Sequence, residues 1–228
     1  LWKKKGLCFH KTGTLTKGKP VVTSIETFNE YTVEQVLRIA ASGETTSEHP
    51  LAKAVIDHAQ AKGIDVLQPA STEIIPGQGL RFEYDAKAYY LGNRKLTQTE
   101  HIKLSAEAEK SLQAHEEAGE TGIILTDEQA VLGLIFIADT IRPDADKLIE
   151  KLRKRGIKHM VMLTGDNPRT AQAIANQLHL DDVRSELLPA DKANVLKELR
   201  EKYGAVAMVG NGINDAPAMA TATASFAV

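Results

Sequence analysis

Gly6-Leu7-Cys8-Phe9-His10-Lys11-Thr12-Gly13-Thr14-Leu15-Thr16 decides how the rest of the chain is read. Gly6 to Phe9 are small or apolar and predict a short buried strand, which Lys11-Thr12-Gly13-Thr14 breaks into a polar turn. A strand that ends in a polar, glycine-containing loop is how open α/β sheets present reactive groups at their carboxyl edge. The pattern recurs twice. An apolar run over 158–163 ends in Thr164-Gly165-Asp166-Asn167, and another over 205–209 ends in Gly210-Asn211-Gly212. Helical periodicity fills the intervals: 143–155 with Leu148 and Leu152 on one face, a segment through Ala171, Ile174 and Leu178, and 191–202. Continuous apolar strands alternating with helices predict a doubly wound parallel sheet. A further strand is expected at 224–228.

Residues 20–137 follow another pattern. After the turn-rich Lys17-Gly18-Lys19-Pro20, the β-branched run from Val21 to Phe28 predicts a strand. Thr32 is placed to cap a helix over 33–42 that buries Val36, Leu37, Ile39 and Ala40, with Gly43 as its stop. Pro50 suits the first turn of a helix reaching Lys62, with Leu51, Val55 and Ala59 inside and Gly63 ending it. Strands are expected at 73–75, 80–84, 87–91, 121–126 and 131–138, with a polar helix over 105–118. This is antiparallel α+β patterning. The chain therefore reads as an α/β domain made of 1–19 and 138–228 into which an α+β domain, 20–137, is inserted.

Bulk composition narrows the classes. With 228 residues, 43% of them hydrophobic and 25% charged, the chain has ordinary globular composition. A formal net charge of −2 gives no electrostatic case for nucleic acid or an anionic membrane surface. Cys8 is the single cysteine, so an internal disulfide and a cysteine-based metal site are excluded, and it reads as a small apolar strand residue in a reducing setting. No apolar run approaches the roughly 18–20 residues that span a bilayer, and no leader peptide is expected.

The strand ends carry groups suited to phosphoryl transfer, which needs positioning, Mg²⁺ and charge stabilisation more than covalent chemistry. Thr12 offers a carbonyl for metal and a hydroxyl for phosphate, Thr164 and Gly165 offer donors, Lys192 a positive charge, and Asp215 a carboxylate for Mg²⁺. Each, taken singly, reads equally well as a cap or a solvated helix residue. Together, the residues are similar to the motif set of P-type ATPases within the haloacid dehalogenase superfamily. His10-Lys11-Thr12-Gly13-Thr14-Leu15-Thr16 resembles the Asp-Lys-Thr-Gly-Thr-Leu-Thr signature, whose Asp accepts the γ-phosphoryl group of ATP. Thr164-Gly165-Asp166 resembles the family's Thr-Gly-Asp, Lys192 its positively charged lysine, and Gly210-Asn211-Gly212-Ile213-Asn214-Asp215-Ala216-Pro217 its Gly-Asp-Gly-Ile-Asn-Asp-Ala-Pro. Ala138-Asp139-Thr140-Ile141-Arg142-Pro143 resembles the second hinge.

Ser47-Glu48-His49-Pro50-Leu51 resembles a motif of the heavy-metal-transporting group, in which the adenine end of ATP is held by residues that fall here on Glu44, His49, Gly77, Gly79 and Asn93. The resemblance implies ATP and Mg²⁺ as cofactors and the remainder of a membrane transporter as partner. It further implies a cytosolic location on that membrane, and a monomeric fragment. Two departures meet at one place: His10 stands where the family has the phosphorylated Asp, and Asn211 where it has a second carboxylate facing Mg²⁺. A chain lacking both is expected to bind nucleotide without forming an aspartyl-phosphate. The alternatives are a catalytically silent nucleotide sensor or interaction domain, and a variant phosphorylated on His10.

Overall fold

The computed structural model describes residues 5–211 and 216–228. In chain order, β1 (Lys5–His10) is followed by β2 (Val21–Thr27), α1 (Val33–Gly43) and α2 (Pro50–Ala61). Then come β3 (Ser71–Ile75), β4 (Gly79–Tyr84), β5 (Lys87–Gly92), α3 (Arg94–Thr99), α4 (Ala106–Glu117), β6 (Thr121–Thr126) and β7 (Val131–Ala138). The last stretch runs α5 (Ala145–Lys154), β8 (His159–Leu163), α6 (Pro168–Gln177), β9 (Asp182–Arg184), α7 (Pro189–Tyr203), β10 (Ala205–Gly210), α8 (Ala216–Thr221) and β11 (Ala224–Ala227). The fold is mixed α/β, with one parallel and one antiparallel sheet. Two compact units result, Leu1–Lys19 with Asp139–Val228, and Pro20–Ala138.

In the first unit a five-stranded sheet has the order β11-β10-β1-β8-β9, every neighbouring pair parallel. Successive side chains of a strand point to opposite faces, and here both faces are covered. Leu7, Phe9, Met160 and Met162 pack with Ala145 and Ile149 of α5 and Ala171 and Ile174 of α6. Cys8, Val161, Leu163, Val206 and Met208 pack with Leu196 and Leu199 of α7 and Ala218 of α8. Burial pushes the Cys8 thiol up to about 12, so at neutral pH it is an inert small hydrophobe.

One correction concerns α5. Leu148, expected inside, is 47% exposed, while Ala145 and Ile149 are buried and Leu152 is partly covered. The inward stripe runs 145, 149, 152, and Leu148 lies off it.

In the second unit the six strands run β2-β7-β6-β5-β4-β3, all antiparallel. Helices α1 and α2 cover one face through Val36, Leu37, Val55 and Ala59 against Phe82, Leu91, Ile123 and Leu125. Helix α4 covers the other through Ala108 and Leu112 against Ile124, Leu134 and Phe136. Thr32 caps α1 with a full capping box, its side chain accepting from Gln35 N while the Gln35 side chain accepts from Thr32 N.

Gly43 ends α1 as expected, but without a left-handed backbone. Its φ and ψ are −61° and −36°, and the chain continues into one tight turn over Glu44–Thr46. The residue is glycine for lack of room: a Cβ there would lie 2.7 Å from the ring of Phe82. Gly63 and Gly119, at φ +70° and +88°, do terminate α2 and α4 in that conformation. Elements without a sequence expectation are the short α3, β9 and α8.

Candidate functional site

In the first unit, strand register assembles the site. β1 lies between β10 and β8, with Phe9 opposite Val209 and His10 opposite Leu163. The polar loops after the three strands therefore leave the sheet at one level, at its carboxyl edge. The turn after His10 is closed by Thr16 N donating to Lys11 O at 3.1 Å. Gly13 sits at φ +80°, and a Cβ on it would come within 3.8 Å of the Asn211 side chain. The turn is also fastened from 139–142. The Thr16 hydroxyl donates to Asp139 Oδ2 at 2.5 Å, and Arg142 donates from Nε to Thr16 O at 3.1 Å and from Nη2 to Gly13 O at 2.9 Å. Thr12 is half-buried inside this frame.

His10 is 8% exposed, Lys11 7%, Thr164 2% and Lys192 5%, so the site is sunk below the surface. Lys192, on α7, brings its Nζ to 3.1 Å from His10 Nε2. An ammonium group can only donate, so in this contact Nε2 is the acceptor. Lys11 turns from His10 to Asp166, with Nζ 2.5 Å from Oδ2. The same Oδ2 accepts the Thr164 hydroxyl at 2.8 Å, and Thr164 Oγ1 accepts from Asp166 N at 3.2 Å. The Thr164 proton is thus committed to Asp166. Gly165 is exposed beside it.

Sequence reasoning had named Asp166 within a motif without giving it a role, and the structure makes it the partner of both Lys11 and Thr164. Asp215, expected to ligate Mg²⁺, lies outside the described residues.

In the second unit, Gly77, Gly79 and Asn93 form one corner. Asn93 N donates to Gln78 O at 2.9 Å, and Asn93 Nδ2 donates to Gly77 O at 2.9 Å. Asn93 Oδ1 accepts from Lys95 N and Leu96 N, which makes Asn93 the N-cap of α3. Gly79 has φ +146°, and a Cβ on it would lie 2.2 Å from Leu91 O. Gly92, to which the sequence gave no role, is required for the same reason: its Cβ would lie 2.1 Å from Gln78 O. Both glycines are dictated by the crossing of two backbones, independently of any ligand.

Glu44 is buried in the turn after α1, and burial holds its carboxyl up at about 7, partly offset by a hydrogen bond from Ser47. His49 is exposed, and its Nδ1 accepts from Leu51 N at 3.2 Å as the N-cap of α2. Gly43, next to Glu44, packs on Phe82 of β4, and Gly79 begins the same strand.

Comparison with known proteins agrees with this architecture. A profile of the haloacid dehalogenase-like hydrolases matches residues 4–223. The zinc-exporting P-type ATPase of Mycobacterium marinum is 40% identical over 223 residues, covering 97% of this chain and 30% of that protein. The chain thus spans about a third of the length of the curated relatives it matches. Among solved structures, the catalytic domain of the CPx-ATPase CopB-B, studied for conformational changes upon nucleotide binding, superposes with a TM-score of 0.73. It is 28% identical, over 97% of this chain and 77% of that one. A zinc-transporting PIB-type ATPase in the E2.Pi state gives a TM-score of 0.61 at 36% identity, covering 99% of this chain and 36% of that one.

Proposed function

Because the chain belongs to the haloacid dehalogenase-like hydrolase family, we propose that it is the ATP-binding catalytic unit of a heavy-metal-transporting P-type ATPase. In this reading it works at the cytosolic face of a membrane and holds ATP without forming an aspartyl-phosphate. Residues 1–19 and 139–228 serve as the phosphorylation unit and 20–138 as the nucleotide-binding unit. The likeness to zinc-exporting and CPx-type ATPases over nearly the whole chain supports the class.

One observation carries the mechanistic part: Lys192 Nζ lies 3.1 Å from His10 Nε2. Phosphoryl transfer requires an acceptor lone pair in line with the leaving oxygen. The lone pair of Nε2 is occupied by an N–H of Lys192, and a carboxylate at this position would instead keep further lone pairs for attack. Lys11 and Thr164 are likewise turned toward Asp166.

Mg²⁺ is the ion such a reaction uses, and it prefers oxygen ligands, carboxylates first. Among the described residues no group of three His, Cys, Asp or Glu side chains is placed to hold a metal, and Asp166 is already ion-paired. With the phosphates of ATP bound, the Thr12 carbonyl, the Asn211 amide and Asp215 would hold the ion, and it would neutralise charge on the transferring phosphoryl group. ATP with Mg²⁺ is the ligand in this reading.

The test is incubation with γ-labelled ATP and Mg²⁺ of the chain, of His10→Asp, and of His10→Asp/Asn211→Asp. Acid-stable, hydroxylamine-sensitive label only on the substituted proteins is the expected result. Acid-labile, base-stable label on the unsubstituted chain would make His10 a working nucleophile and overturn the proposal.

A further inference from the structure

The second unit contains an ion-pair network to which neither the motifs nor the comparisons assign a role. Arg94, the first residue of α3, is half-buried, its side chain 22% exposed. Its Nε donates to both carboxylate oxygens of Glu109 at 3.0 Å, and its Nη1 binds Glu116 Oε1. Both acids belong to α4, and the Glu116 side chain is only 3% exposed. The Glu116 carboxylate is nearly out of reach of water, so losing its Arg94 partner would be costly. The planar guanidinium fork fixes direction as well as distance.

Directly before Arg94 stands Asn93, whose side chain both caps α3 and donates to Gly77 O, while its backbone N–H donates to Gln78 O. On the far side of Gln78, Thr99 at the end of α3 donates its hydroxyl to Gln78 Oε1 at 2.8 Å. The Gly77–Gly79 turn, exposed at Gly77, therefore has side-chain hydrogen bonds from the start and end of α3, and α3 is anchored to α4 by Arg94. We infer that Arg94 and Glu116 are positioning residues for nucleotide binding: they lock α3 on α4 so that Asn93 holds the Gly77–Gly79 turn in a ligand-ready shape. This rests on the reading of 20–138 as the nucleotide-binding unit. On it, Asn93 acts on the nucleotide through the turn, since the oxygen and one N–H of its amide are already engaged by the protein.

The experiment measures ATP affinity of the full chain by calorimetry, together with the amide ¹H–¹⁵N spectrum, for His49→Ala, Glu116→Gln, Arg94→Lys and Glu109→Gln. His49 lies outside the network, so His49→Ala tests the underlying nucleotide reading alone. Glu116→Gln and Arg94→Lys are expected to weaken ATP about tenfold, a typical cost when a supporting shell lets a binding element drift. The resonances of Gly77, Gly79 and Asn93 should shift while those of Val36 and Val55 stay in place. Glu109, whose side chain is 41% exposed, can lose its charge with the fold retained, so Glu109→Gln keeps the test open should the other two fail to fold. It is expected to give a smaller loss with the same resonances moving.

Unchanged affinity in the network variants, with loss in His49→Ala, would overturn the positioning role and leave the nucleotide reading intact. Unchanged affinity in every variant would overturn both. Spectral changes spread evenly over the unit would make the network a general stabiliser and also overturn the inference.

Discussion

At Glu44 a single residue sets a measurable pH dependence. Burial raises its carboxyl from 4.5 to about 7 in the folded chain, with the Ser47 hydrogen bond pulling weakly the other way. The folded state therefore binds a proton more tightly than the unfolded chain does. Stability from this group is fully present below pH 4.5 and is lost as pH rises through about 7. Glu44→Gln keeps the shape and removes the titration. By denaturant midpoint, it should match the unsubstituted chain near pH 5 and exceed it at pH 8 by about 1–3 kcal/mol. An equal gap at the two pH values would place the Glu44 carboxyl in water. Single residues in a sequence declare identity but not environment. Glu44 was legible as a candidate ligand, yet its protonation depends on how α1 and α2 close around its turn.

At the scale of elements, Gly43 shows where sequence logic stops. A glycine after an amphipathic run reads as a left-handed helix stop, and at Gly63 and Gly119 that reading matches the backbone. At Gly43 the backbone is ordinary helix and the constraint is the Phe82 ring, a contact made across 39 positions of sequence. Gly43→Ala should therefore destabilise by about 1–3 kcal/mol from overpacking, although helix propensity alone would favour Ala by about 1 kcal/mol. A thermal midpoint that rises in Gly43→Ala would show that Phe82 gives way.

The same contrast runs through the site. The strand-end loops were legible because apolar runs and their polar exits are local, and the capping box at Thr32 likewise. The pairing of Lys11 with Asp166, the grip of Lys192 on His10, and the anchor of Arg94 on α4 were not, because each joins separate stretches of chain. Leu148 was misplaced for a narrower reason: a helix offers several apolar stripes, and the sheet, absent from the local sequence, chooses among them.

For the whole molecule, the way the chain leaves and re-enters the first unit makes a strong demand. Val21, at the start of β2, is paired with Ala138, at the end of β7, so the second unit begins and ends on adjacent strands. Within the first unit, Lys17 N donates to Thr140 O at 2.9 Å and Lys19 N to Asp139 Oδ1 at 3.1 Å, so its two cut ends are also adjacent. The buried clusters respect this division: every residue of the parallel-sheet clusters lies in 1–19 or 139–228, and every residue of the antiparallel-sheet clusters in 20–138. Among the described residues each cluster draws on one unit alone, which is what a domain inserted at one point of another requires. Residues 20–138 expressed alone should fold, melt cooperatively, and bind ATP within about twofold of the full chain, since domains with their own core fold as units. Circular dichroism, thermal melting and calorimetric titration of the excised segment check this. A segment that folds but loses ATP would show that residues of the first unit contact the nucleotide directly. A segment without a cooperative melt would show that the antiparallel core needs the parallel one to form.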